Sequence, residues 1–296
     1  KFLKKIKSNY LFISAPENIA WLLNIRGHDN PYSPIPNCRL LINDEGKVYL
    51  IVEMKKVKKI IKEKKIQKKQ VIEPKNFESF INKLNKKQII IDNKSCSLFY
   101  EELLRKKFKI LKKDDPIYYL KSLKNKSEIQ NMIDAHILDG AALTKFLYWI
   151  KKVNTKKLTE YEAQKKLETF RKKNIEYLSP SFNTIAGSGA NGAIVHYRAD
   201  KKNSKIINKQ DIFLCDSGGQ YKYGTTDVTR TICFSRPKNS VKNIFTNVLK
   251  GHIAVTNTNL KKYFNGKQID LRARKFLKNT GLDYQHGTCH GVGFFL

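Results

Sequence analysis

Long apolar runs are absent from this chain: nowhere do the roughly 18 apolar residues of a membrane-crossing helix follow one another, so no membrane span is expected. The opening residues are not expected to act as a secretory leader. The opening KFLKKIKSNYLFIS is basic and then briefly apolar, with neither a proper apolar centre nor a cleavage site. An initiator Met is also missing, and the chain is expected to begin inside a longer polypeptide. Cysteine is scarce: the five, at positions 38, 96, 215, 233 and 289, are odd in number and show no C-x-x-C spacing, which argues against a disulfide framework or a zinc knuckle. Cys215 and Cys233 are expected to be buried reduced thiols, which suits a cytoplasmic protein. Two catalytic patterns are missing as well. The Gly-rich stretch IAGSGANGA reads neither as a G-x-G-x-x-G leading into a helix nor as a G-x-x-x-x-G-K-[ST] loop, and Gly287 stands where H-E-x-x-H requires Glu.

Acidic residues are the scarcest charged class, 26 against 58 basic, for a net charge of +32. Such an excess suggests nucleic acid or a membrane surface as partner. Only nine of the 58 are Arg, however, and the Lys are spread along the chain, whereas nucleic-acid readers concentrate Arg and aromatics on one face. The charge is therefore read as decoration of solvated faces, giving weak, salt-sensitive polyanion binding and no specific nucleic-acid partner.

What is present centres on Asp211–Phe234, DIFLCDSGGQYKYGTTDVTRTICF. Two β-rich runs flank a polar turn. A hairpin centred on Tyr221 and Lys222 places Asp216 opposite Asp227, on one face with Cβ atoms roughly 5 Å apart. Two carboxylates that close repel unless a cation lies between them. Solvated turn aspartates are the plainer alternative, but the apolar Ile212-Phe213-Leu214-Cys215 ahead of Asp216 reads as buried. Near the other end, QHGTCHGVGFFL carries His286 and His290 four apart, on one face in either a helix or a strand. Imidazole added to two carboxylates favours a transition metal over Ca or Mg.

In chain order, alternating apolar runs and turns precede a hairpin about Asp44-Glu45-Gly46. A Lys-rich surface helix is expected over Met54–Gln70, a further helix over Phe77–Leu84, a strand over Gln88–Asp92 and a helix over Ser97–Phe108. This is the pattern of a small α/β domain, 1–114, closed by Asp114-Asp115-Pro116. From 115 to 296 an α+β domain is expected. Capping boxes at Ser127/Gln130 and Thr159/Glu162 open two helices, to about Lys151 and Lys172. A strand, a Gly-rich loop and a short strand carrying His196 follow, with helices at about Val241–Asn257 and Leu271–Lys278.

The blocks NIAWLLNIRG, KNKSEIQNMIDAHILDGAALTKFLYWI with LTEYEAQKKLETFR, IAGSGANGAIVHYRA, DSGGQYKYGTTDVTRT and HGTCHGVGFFL, in that order, resemble those of the Xaa-Pro aminopeptidases, the aminopeptidase P branch of the creatinase and methionine-aminopeptidase superfamily. The likeness covers nearly the whole chain. It implies a pita-bread catalytic domain, here incomplete, preceded by a creatinase N-terminal-like, ribonuclease H-like domain.

Carried over by position, the resemblance implies Asp216, Asp227 and His290 as metal ligands and His196 and His286 as catalytic histidines beside the scissile bond. It implies two divalent ions, Mn2+ foremost with Zn2+ or Co2+ as alternatives, sharing a bridging water that attacks the carbonyl before a penultimate Pro. Peptides with penultimate Pro are the implied substrates, and a homodimer the implied full-length assembly. Two departures stand out: Cys289 replaces the family's usual Gly, and the family's two Glu ligands lie beyond its second His, outside these residues. The segment alone is expected to be poorly soluble and nearly inactive. The alternatives are a metal-free pita-bread binding module, which typically loses the site residues retained here, and a prolidase on the same scaffold.

Overall fold

The computed structural model describes all residues except 86, 154–156, 264, 294 and 296. They form two compact units, Lys1–Ile129 and Gln130–Leu296.

The first unit carries α1 (Phe2–Ile6), β1 (Tyr10–Ile13), α2 (Pro16–Leu23), β2 (Arg39–Asn43), β3 (Val48–Ile51), α3 (Met54–Lys62), β4 (Val71–Ile72), α4 (Phe77–Asn82), β5 (Gln88–Ile91), α5 (Leu98–Arg105), β6 (Lys109–Lys112) and α6 (Pro116–Ser122). Its six strands make one sheet, ordered β4-β3-β2-β1-β5-β6. Strand alternation feeds a core on each face. Leu11, Ile13, Leu40, Leu50 and Ile90 pack with Ile19 and Val57 from the helices on one side. Tyr10, Phe12, Leu41, Ile51, Ile89 and Ile91 pack with Phe77, Ile81 and Leu104 on the other.

The hairpin about residues 44–46 forms as expected, with Gly46 at φ 86 and its N–H donating to Asn43 O at 3.0 Å. The helix expected to reach Gln70 stops at Lys62, because Lys64 takes a left-handed φ of 58 and the chain turns back to pair β4 with β3. The helix over 97–108 is shorter than expected, and β6 follows it where no strand is expected. Its Lys-Ile-Leu-Lys sequence is an edge strand whose exposed lysines discourage further pairing. Asp115 caps α6 by accepting from Ile117 N at 2.9 Å, and Asn18 Nδ2 donates to it at 2.7 Å, so this acidic segment is fastened to α2.

The second unit carries α7 (Lys126–Lys152), α8 (Glu160–Arg171), β7 (Tyr177–Pro180), β8 (Ile185–Ser188), β9 (Ile212–Ser217), β10 (Gly219–Tyr221), β11 (Val228–Cys233), α9 (Asn239–Thr256) and α10 (Gly266–Lys278). Asn125 and Glu128, not Ser127 and Gln130, form the reciprocal cap of α7, at 2.8 and 2.9 Å, because the helix starts two residues earlier. The Thr159/Glu162 capping box is present as expected. Strands β11-β9-β8 form one antiparallel sheet and β10-β7 a separate pair. Phe146 and Ile150 of α7, Leu167 of α8, Phe213 and Cys215 of β9 and Ile232 of β11 share its core. Each large apolar side chain buried there contributes about 1.5–3 kcal/mol.

Within that core lies a charged clamp. Arg171 Nε donates to Asp139 Oδ1 at 2.6 Å, and Nη2 donates to Asp139 Oδ2 and to Ser217 Oγ, both at 3.0 Å. Tyr221 OH donates to Asp139 Oδ1 at 2.9 Å. Arg171 and Asp139 are both 0% exposed, so α7, α8 and the end of β9 are joined by a pair that has given up its water.

Candidate active site

Burial along β9 alternates, with Phe213, Cys215 and Ser217 turned into the core. Asp216 therefore points to the other face. Its cross-strand partner is Thr229, not Asp227: the register runs Val228↔Ser217, Thr229↔Asp216. The turn centres on Lys222 and Tyr223, one residue later than expected, as the Gln220↔Thr225 bridge and Tyr221 N→Gly224 O at 2.8 Å show. Moving the centre by one moves each pairing by two. The face is preserved, and Asp227 becomes the diagonal neighbour of Asp216. Gly224 permits this turn because a side chain there would press on α7, 2.9 Å from Ala135 Cβ.

The two carboxyls still meet. Thr229 Oγ1 donates to Asp216 Oδ1 at 2.7 Å, and the Asp216 carboxyl lies within hydrogen-bonding reach of Asp227. His290 Nε2 stands 3.2 Å from Asp227 Oδ2. Burial, then the charge of Asp216, hold the Asp227 carboxyl above its ordinary range, and His290 and His136 pull it back. A half-buried carboxylate against a second one is a place where a divalent cation lowers the energy. The chemistry of this donor set, two carboxylates and an imidazole, fits such a cation. Among the described residues no group of three or more His, Cys, Asp or Glu side chains is arranged so that it could hold a metal ion. His290 Nε2 faces Asp227 directly, and its Nδ1 lies 3.0 Å from Gly291 O.

The other two histidines stand apart from this trio. His196 occupies an exposed turn after the short 3-10 segment Gly189–Ala193, not the strand expected, with a left-handed φ of 57. That conformation costs a residue with a side chain on the order of 1–2 kcal/mol. His286 is exposed and stacks on Tyr284, centroids 4.7 Å apart, with its Nδ1 2.8 Å from Gly287 O. Cys289 is exposed.

Several contributors carry no mark in the sequence. Arg274 of α10 anchors the His286 segment, donating to Asp283 Oδ1 at 2.9 Å, Tyr284 O at 2.6 Å and His286 O at 2.8 Å. Thr288 donates to Asp270 on the same helix. His136 on α7 acts on Asp227 through its charge and lines a hollow of about 420 Å³ with Met132, Ile133 and Ile137. No motif announces these residues; each is found only through the packing of α7 and α10.

Residues 130–296 match the family model for metallopeptidase family M24, and residues 1–128 match the creatinase/prolidase N-terminal domain. The chain belongs to metallopeptidase family M24, in its aminopeptidase P branch, with the pita-bread fold behind a creatinase N-terminal domain. It is 38% identical over 309 residues to Xaa-Pro aminopeptidase 1 of Dictyostelium discoideum, covering 99% of this chain and 47% of that one. The crystal structure of X-prolyl aminopeptidase from Caenorhabditis elegans, described as a cytosolic enzyme with a di-nuclear active site, superposes with a TM-score of 0.85 at 28% identity, covering 99% of this chain and 50% of that one. Prolidase from Pyrococcus furiosus gives a TM-score of 0.76 at 25% identity, with 99% and 82% covered. The chain spans about half the length of the curated aminopeptidase it matches. Among the described residues no helix is long and apolar enough to cross a membrane.

Proposed function

We propose that this chain is part of a metal-dependent aminopeptidase that hydrolyses the bond between an N-terminal residue and a penultimate proline. The observation that carries the reading is the approach of His290 to Asp227, which itself lies against Asp216. Asp216, Asp227 and His290 hold the cations, with further carboxylates from the rest of the full-length protein. Bound there, a pair of divalent ions, Mn2+ by preference, supplies Lewis acidity and a water acidic enough to attack near neutral pH.

The chain's own residues do the rest. His196 and His286, both exposed, present ring N–H groups to the substrate, and donors aimed at the scissile carbonyl oxygen stabilise the charge that develops there. The first compact unit, Lys1–Ile129, makes the non-catalytic domain and the second, Gln130–Leu296, the catalytic one, a boundary beyond α6 instead of at 114. The full-length protein acts as a cytoplasmic dimer, a compartment supported by the C. elegans relative, itself a cytosolic enzyme.

A prolidase reading draws on the Pyrococcus match. Full-length protein offered Xaa-Pro-Yaa tripeptides and Xaa-Pro dipeptides separates the two: cleavage of the tripeptide alone is expected. Cleavage of the dipeptide alone assigns a prolidase, and cleavage of neither refutes both.

A further inference from the structure

Glu160, the first residue of α8, is 0% exposed. Its Oε1 accepts from Ser188 N at 2.7 Å and its Oε2 from Tyr197 OH at 2.7 Å and Lys205 N at 2.9 Å. Asn191 Nδ2 lies 3.1 Å from both carboxylate oxygens and 2.8 Å from Tyr197 OH. Glu160 N donates to Lys205 O at 2.9 Å. A carboxylate is held without water only where hydrogen bonds replace its hydration. Every one of these bonds goes to the single stretch 188–205.

That stretch carries His196. Its backbone is left-handed at φ 57, and its neighbour Tyr197 is one of the groups Glu160 grips. Burial, the Glu160 hydrogen bond and the Glu160 charge push the Tyr197 phenol up to about 12, so it remains a donor across working pH. The Thr159/Glu162 capping box in turn fixes where α8 begins, and with it where Glu160 points. Cap, buried carboxylate and histidine turn form one mechanical sequence.

We propose that Glu160 is the positioning residue for His196, setting the turn that presents its imidazole to substrate. The claim rests on His196 facing substrate in the proposed reaction, but it can fail separately. Substituting Gln keeps the size and replaces an acceptor oxygen by a donor group that faces other donors. In the full-length protein, Glu160→Gln is expected to raise amide exchange across residues 189–205 by about tenfold or more, the loss of a buried hydrogen-bonded acceptor, while α7 and β9 stay protected. It lowers kcat more than it changes KM. The Glu160→Gln/His196→Ala double variant is no less active than His196→Ala alone, because one residue acts through the other.

Unchanged exchange over 189–205, or additive losses in the double variant, overturns the proposal. Tyr197→Phe, which removes one bond and leaves the rest, gives a smaller change in the same direction. If Glu160→Gln does not fold, unchanged exchange in Tyr197→Phe overturns the proposal in its place. Increased loop exchange with full activity in His196→Ala upholds the positioning and refutes the catalytic part assigned to His196.

Discussion

His290 Nε2 stands 3.2 Å from Asp227 Oδ2, so the H-G-T-C-H segment is drawn onto the residue that precedes β11. Arg274 supports that approach from α10 through its bonds to Asp283, Tyr284 and His286. Arg274→Ala in the full-length protein is expected to lower metal affinity about tenfold or more, the range seen when a group supporting metal ligands is lost. Calorimetric titration with Mn2+ checks this, and unchanged affinity would show that His290 does not depend on the Arg274 contacts.

The buried Arg171–Asp139 pair gives a stability prediction. Arg171→Met leaves Asp139 charged and without its guanidinium partner, and is expected to cost about 3–5 kcal/mol. Removing both charges, Arg171→Met with Asp139→Leu, is expected to cost much less. Urea denaturation of the four proteins of that cycle measures the difference. Equal losses in the single and double variants would mean that packing, not charge, is what Arg171 supplies.

How much of the fold and site is legible in the sequence depends on the range of each interaction. The Thr159/Glu162 cap is local, and its spacing alone identifies it. The cap of α7 is not, because Ser127 with Gln130 offers the same spacing as Asn125 with Glu128 two residues on, and only the packing of α7 decides between them. The face shared by Asp216 and Asp227 is legible because alternation preserves it, whereas the register is not: the turn is free to centre on Lys222 and Tyr223 once Gly224 can lie against α7. Arg171, Asp139 and Glu160 look like ordinary charged helix residues, since burial of a charge leaves no mark in the local sequence.

Gly218 sits between the two carboxylate-bearing runs, where a Cβ would overlap Thr226 O and Ser181 Oγ. Both belong to neighbouring backbone or its close contacts and have little room to yield. Gly218→Ala is expected to destabilise the second unit by about 1–3 kcal/mol and to separate Asp216 from Asp227. Thermal unfolding together with Mn2+ titration checks both effects, and a variant unchanged in each would contradict the tight approach.

Burial holds the Asp115 carboxyl above its ordinary value of 3.8, against the bonds it accepts from Ile117 N and Asn18. The folded protein then binds this proton more tightly than the unfolded chain does. The resulting stability is fully present below the unfolded value and is lost as pH rises through the folded one. Asp115→Asn keeps an acceptor for the helix cap and is expected to flatten that decline. Urea midpoints between about pH 3 and pH 7 show it, and parallel curves for the two proteins would argue against the assignment.

The most direct measurement is the metal content of the purified full-length protein and its Asp216→Ala variant, by plasma mass spectrometry, beside cleavage of an Xaa-Pro-Yaa peptide. The account predicts about two ions per chain and cleavage in the first, with under one ion and no cleavage in the second. A variant that keeps both ions and its activity would contradict the assignment of Asp216, and with it the proposed centre.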